Sequence, residues 1–275
     1  MSDDRHATDS RGSTATAPIP QAIATRQYDA LRAHIFEDGD ALAARAVEDL
    51  APILDASIAE RGYASIVLAT GNSQLRFMEH LRQRQGIAWS HVMVFHMDEY
   101  LGMPQEHPAS FRRFIREQLV DVVCPRAFFG VRGDAPDVEA ELQRYGELIE
   151  RYPPAATVLG IGENGHLAFN DPPADFTTNR MIHIVELDEA CRWQQVGEGH
   201  FATLEDVPRQ ALSLTIPALL TSRHVLAIVP ERRKAVAVKT ALEGPIAPEC
   251  PASILRRQAH AQLYLDRESA TLLDG

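Results

Sequence analysis

ASIVLAT, residues 64–70, is a short, unbroken apolar run, and the polar stretch GNSQ follows it at 71–74. A strand with one wet face alternates apolar and polar residues; one that does not alternate is buried on both faces, as strands of parallel sheets are. A helical stripe follows at once over 73–84, with Leu75, Phe77, Met78 and Leu81 available for its inner face. The same order of apolar run, polar turn and helical stripe recurs along the chain. HVMVF at 91–95 is a strand candidate, after which Ser110 can cap a helix carrying Phe111, Phe114, Ile115 and Leu119. Val138, Leu142, Tyr145 and Ile149 form the next stripe, ahead of a buried strand at 156–161, and a strand at 224–229 leads into a helix over 231–242. Upstream, Ala43, Val47, Leu50, Ile53, Leu54 and Ile58 recur at helical spacing, with Gly62 where a stop is expected. Strands alternating with helices in this way predict one α/β domain over 22–275, a mostly parallel sheet flanked by helices. Ligands of such sheets collect outside the carboxyl ends of the strands, and every polar cluster discussed below follows a strand.

Composition narrows the functional classes. The 38 acidic residues outnumber 27 basic ones, for a formal net charge of −11. Such a surface repels nucleic acid, so no nucleic-acid partner is expected, although a local cationic pocket for a small anion remains compatible with it. Cys124, Cys191 and Cys250 have neither CxxC spacing nor the density of a disulfide scaffold, which points to a reducing compartment. No run of about 18 apolar residues is present and the first residues lack a secretion signal's apolar core, so no membrane span and a cytoplasmic location are expected. Residues 1–21, MSDDRHATDSRGSTATAPIPQ, are polar with little periodicity and read as a disordered tail ahead of the domain.

Three polar clusters can carry chemistry. Thr70, Gly71, Asn72 and Ser73 join a strand directly to a helix, an arrangement that offers free N–H groups and hydroxyls to an anion; an ordinary turn capped by Ser73 has the same sequence. Asp98 and Glu99 follow the strand ending near Phe95. Adjacent carboxylates there can be solvated surface groups, or one can be a base whose pKa is set by burial and neighbours. In GIGENGHLAFND (160–171), Gly160, Gly162 and Gly165 allow close backbone approach, His166 exchanges protons near neutral pH, and Asp171 shares its loop and can tune it. A Gly/Asn turn with a surface histidine is the plainer alternative. The 11 histidines are scattered without HExxH spacing, the glycines of GIGENG run into a histidine that fits a use other than a dinucleotide fingerprint, and no Walker-type loop occurs, so no metal and no nucleotide cofactor is expected.

Taken together, LATGNSQ (68–74), HMDEYLGMPQEHPASF (96–111) and LGIGENGHLAFNDPP (159–173) closely resemble the glucosamine-6-phosphate deaminase family, whose modified Rossmann-like fold is shared with 6-phosphogluconolactonases. The resemblance spans about 22–266, and the second and third motifs carry most of it. It implies that Asp98 is the base acting on the sugar's C2 proton. It also implies that His166 opens the pyranose ring with help from Asp171, and that Asn164 belongs to the same catalytic loop. Thr70, Gly71, Asn72 and Ser73 would hold the phosphate and part of the sugar, with Lys234 as the phosphate lysine and Arg192 as a second phosphate residue. His107 is read as bracing its loop. The chain departs from the family's pattern at Asn72 and Gln74, where glycine and proline are usual, at Asn164, often aspartate, and at Asp171, usually glutamate. Lactonases usually continue the histidine motif as Thr-Ala-Ser-Leu-Phe; here Leu167, Ala168, Phe169 and Asn170 follow, which favours the deaminase branch.

The reaction so implied converts a 2-amino-2-deoxyhexose 6-phosphate and water to fructose 6-phosphate, or its epimer, and ammonia. The motifs leave gluco and galacto substrates open. The alternatives are a 6-phosphogluconolactone hydrolase and a non-catalytic sugar-phosphate-binding regulator. A homo-oligomer is implied by the resemblance alone, and residues 196–206, longer than the family's segment, would form a lid or a subunit contact.

Overall fold

The computed structural model describes residues 18–274, so most of the tail expected at 1–21 lies outside the described residues. A hairpin of β1 (Ala24–Tyr28) and β2 (Leu31–Phe36) opens the fold. Helix α1 (Gly39–Arg61) follows, capped by Asp38, whose Oδ1 accepts from the N–H groups of Asp40 and Ala41 at 3.0 and 2.9 Å. It stops at Gly62 as its sequence predicts. Then come β3 (Ala64–Leu68), α2 (Leu75–Gln83), β4 (Val92–His96), β5 (Asp98–Tyr100), α3 (Phe111–Ile115) and α4 (Asp121–Val123). A π-helical stretch, Arg116–Val120, joins α3 to α4. The second half holds β6 (Ala127–Phe129), α5 (Val138–Arg151), β7 (Ala156–Leu159), β8 (Ile182–Glu186), α6 (Glu189–Gly197) and β9 (Gln210–Leu214). It ends with α7 (Ile216–Leu219), β10 (His224–Val229), α8 (Ala235–Glu243) and β11 (Ala261–Asp266).

The main sheet runs β1-β2-β11-β10-β7-β3-β4-β6, and apart from the β1–β2 hairpin every pairing in it is parallel. Its strands are buried on both faces as expected: Ile66 and Leu68 enter one apolar layer with Val94, Leu226 and Ile228, while Val67 enters the other with Phe95, Ala227 and Val229. The chain moves outward from β3 through β4 to β6 and then returns to lay β7 on the other side of β3. That reversal makes the gap outside β3 and β7 the topological switch point, where open α/β sheets bind ligands. A second sheet, β5-β9-β8, is antiparallel and was not foreseen in the sequence.

Among the described residues no helix is long and apolar enough to cross a membrane. Asp38 satisfies two otherwise orphaned N–H groups of α1. Its replacement by alanine should cost about 1 kcal/mol of stability, seen as a lower midpoint in urea unfolding with the slope unchanged.

Candidate active site

Four adjacent strands, β10, β7, β3 and β4, deliver their following segments to one cleft. β3 supplies Thr70, Gly71 and Ser73, β4 supplies Met97 and Asp98, β7 supplies Gly160, Gly162 and His166, and β10 supplies Lys234. Counting its open mouth, the cleft encloses ≈ 540 Å³ of empty space.

Asp98 and Glu99 are not a solvated pair. Being neighbours in a strand, their side chains leave on opposite faces. Glu99 turns inward, where its carboxylate accepts from the N–H groups of Phe111 and Arg112 (3.2 and 3.0 Å) and the Ser110 hydroxyl (2.7 Å). It thereby holds the start of α3, which Ser110 caps as predicted. Asp98 faces the cleft, 5% exposed, and its Oδ1 has no hydrogen-bond partner among the described residues. Burial, reinforced by the charge of Glu99, pushes the Asp98 carboxyl well above the usual range. An unpartnered carboxylate with a raised pKa is suited to taking a proton.

His166 lies against Gly162 so closely that a Cβ on that glycine would fall 2.2 Å from the imidazole Cε1. Only glycine leaves room for this ring. The ring's Nδ1 stands 3.1 Å from Oδ1 of Asp171. Burial alone would raise the Asp171 carboxyl, but His166, Asn164 and the Asp188 N–H together hold it below the usual range, so it stays ionised beside the ring. Asn164 braces the loop: its Oδ1 accepts from the His166 N–H (3.1 Å), and its Nδ2 donates to Asp171 (3.0 Å) and Asp188 (3.1 Å). Asn170 anchors the other end, donating to the carbonyls of Leu167 and Leu214, both at 2.8 Å. His107 braces its own loop by accepting from the Ala109 N–H at 3.1 Å.

Lys234 is 3% exposed, and its ammonium makes no hydrogen bond or ion pair among the described residues. Burial, then the neighbouring Arg233 charge, lowers its pKa. A buried cation open only to the cleft is a receptor for an anion. Gly71, at φ 97°, turns the chain so that Ser73 lines the same end of the cleft.

Two expected anion ligands lie elsewhere. The Arg192 guanidinium donates to the carbonyls of Leu204 and Val207, the second at 3.1 Å, so it fastens the loop after α6 and does not line the cleft. Asn72 points away as well, its amide donating to the Glu198 carbonyl at 3.1 Å. Conversely, Gln194, Gln195 and Glu198 line the cleft without having been picked out from the sequence. Their spacing places them on one side of α6 and its cap, which is the only trace they leave in the sequence. The 196–206 segment is therefore partly wall, through Glu198, and partly anchor, through Phe201, which packs on Tyr100.

His166, Asp171 and Cys191 place ligand-type atoms within 4.8 Å of one another. Burial pushes the Cys191 thiol up, away from the thiolate a metal would need, and Asp171 is already taken by His166, Asn164 and the Asp188 N–H.

Asp98 also predicts a stability signature. Its native pKa is raised, so its favourable contribution is complete below the unfolded-chain value and is lost as pH rises through the native one. Asp98→Asn removes that loss. Thermal unfolding should show the variant more stable than the parent at neutral pH, by about 2 °C or more, with the gap closing as pH falls below about 4.

A profile of the Glucosamine-6-phosphate isomerases/6-phosphogluconolactonase family matches residues 37–265. A glucosamine-6-phosphate deaminase of Exiguobacterium sibiricum is 36% identical over 209 residues, 76% of this chain and 81% of its own length. One from Bacillus cytotoxicus is 33% identical over 220 residues, covering 80% and 82%. Among solved structures, a monomeric glucosamine-6-phosphate deaminase superposes with a TM-score of 0.80 at 28% identity, covering 87% of this chain and 99% of the other. A 6-phosphogluconolactonase from Shewanella baltica shares the fold, with a TM-score of 0.69 at 21% identity over 85% and 96% of the two chains. Motifs, fold and relatives agree: the chain belongs to the glucosamine-6-phosphate isomerase/6-phosphogluconolactonase family.

Proposed function

We propose that the chain is a glucosamine-6-phosphate deaminase, converting glucosamine 6-phosphate and water to fructose 6-phosphate and ammonia. The observation that carries this reading is the Asp98 carboxyl, whose Oδ1 has no partner among the described residues, facing the same cleft as His166, which Asp171 backs, and the Lys234 ammonium, likewise without a partner among them. A lactonase needs a group that activates water, but it has no use for a second, buried base. An aldose–ketose isomerisation needs one for the proton that moves between neighbouring carbons.

His166 moves the proton between the anomeric hydroxyl and the ring oxygen, and the Asp171 carboxylate stabilises the charge its imidazole acquires. Asp98 takes the C2 proton of the open-chain sugar and returns it to C1. The C2–N bond thereby becomes an imine, to which water adds, and ammonia leaves with the ketose product. Lys234 and Ser73 hold the phosphate, so binding energy far from the reacting carbons fixes their orientation.

The direct test is release of ammonia and fructose 6-phosphate from glucosamine 6-phosphate by the purified protein. Equal amounts of the two are expected; hydrolysis of 6-phosphogluconolactone with no ammonia from the amino sugar would replace this reading with the lactonase one. Gly162→Ala should lower kcat about 100-fold with a smaller change in KM, because the added methyl displaces the His166 ring while Lys234 and Ser73 are untouched.

A further inference from the structure

The far end of the cleft holds a negative charge as well as a positive one. Glu198, the residue that caps α6, lines the cleft beside Gly71, Ser73 and Lys234, and its side chain is 6% exposed. Its Oε1 lies 2.8 Å from the Arg233 guanidinium and accepts from the Gln194 amide at 2.9 Å. Its Oε2 lies 3.4 Å from Nε2 of His200, and a Cβ built on Gly71 would stand 3.5 Å from it. Burial would raise this carboxyl, but His200, Arg233 and the charge of Lys234 outweigh that and hold it at about 2. It is therefore an anion at every pH at which the enzyme works.

Arg233 is the cation next to Lys234, but it is fully engaged. Its guanidinium meets Glu198, Glu163 (3.0 Å) and Glu231 (2.5 Å), three carboxylates for one positive charge. Of the three, only Glu198 lines the cleft. Among the described residues the cleft is thus lined by one cation without a partner, Lys234, while a second, Arg233, stands behind Glu198, outside the cleft lining and covered by that carboxylate. A phosphate arriving on Lys234 meets Glu198 as a like charge and as a rival for Arg233.

We propose that Glu198 sets the enzyme's preference for phosphorylated sugar by competing with the substrate's phosphate for Arg233. Its presence weakens phosphate binding and narrows the gap between phosphorylated and unphosphorylated amino sugars. Discrimination is a difference of affinities, so one built-in repulsion is enough to set it. The inference rests on the deaminase reading for its substrate, while its binding part stands on Lys234, Arg233 and Glu198 alone.

The test is calorimetric binding of inorganic phosphate to the full-length protein, its E198Q variant and its E198D variant, with thermal unfolding of each as a control for folding. E198Q should bind phosphate roughly tenfold tighter than the parent, while E198D, which keeps the charge, should not. The ratio of kcat/KM for glucosamine 6-phosphate over free glucosamine should rise by a similar factor in E198Q. Weaker or unchanged phosphate binding in E198Q, or equal tightening in both variants, would overturn the proposal, because Glu198 would then merely position its neighbours. Should the variants not fold, a crystal structure of the parent protein with phosphate decides: phosphate oxygens on Arg233 with Glu198 turned away support the competition, and an intact Glu198–Arg233 pair beside bound phosphate refutes it. Phosphate binding is read without turnover. Absence of ammonia release therefore counts against the deaminase reading alone, and an unresponsive E198Q against this inference alone.

Discussion

Ser213 is the point on which the geometry of the cleft depends. It sits fully buried near the end of β9, opposite Asp98 in the antiparallel register. Its hydroxyl accepts the Phe169 N–H at 3.1 Å, so the strand that places Asp98 also holds the loop that carries His166. The two loops come from different strands of the main sheet, and nothing in that sheet alone fixes their mutual orientation. The small antiparallel sheet supplies the missing constraint. Register in a buried strand is strict, since a slip of one residue would turn Asp98 toward the interior and Glu99 toward the cleft. On the face of β5 that carries Asp98, Tyr100 packs ring against ring with Phe111, Phe169 and Phe201 and ties the wall formed by α6 to the same frame.

Similar carboxylates acquire different roles from their surroundings. Asp98 is buried beside another carboxylate and has its affinity for protons raised, whereas Asp171 is surrounded by donors and stays charged. Glu99 spends its charge on the N–H groups that begin α3, and Glu198 spends its own on Arg233. The same division applies to the cations: Arg233 is covered and Arg192 is consumed by loop carbonyls, which leaves Lys234 open to a ligand. Sorting charges by what each already contacts separates the reacting groups from the supporting ones better than proximity does.

Much of the main sheet was legible because its strands are continuous apolar runs. β3 and β10 are such runs, and the polar residues after them stand at strand ends, where a parallel sheet places its ligands. The starts of α2 and α8 are less regular than their stripes suggested, with short 3-10 turns at Asn72–Gln74 and Arg232–Lys234 ahead of the α-helical residues. The small sheet was not legible, since β5 has three residues and β8, IHIVE, alternates like any half-exposed segment. Asp98, His166, Asp171 and Lys234 were recognisable because motif and strand end coincide. Arg192 was misplaced and Glu198 overlooked for one reason: the orientation of α6 is set by its packing on Tyr100, through the bond from the Tyr100 hydroxyl to Gln195 at 2.7 Å, and sequence spacing carries no information about that contact.

The account stands or falls on Asp98 as the base that acts on C2. The most direct measurement follows the C2 hydrogen of glucosamine 6-phosphate by NMR in deuterated water, with the parent protein and with Asp98→Asn. The parent should remove that hydrogen and form fructose 6-phosphate, while the variant should leave it in place although inorganic phosphate still binds. Removal of the C2 hydrogen by the variant at the parent's rate would show that another group is the base.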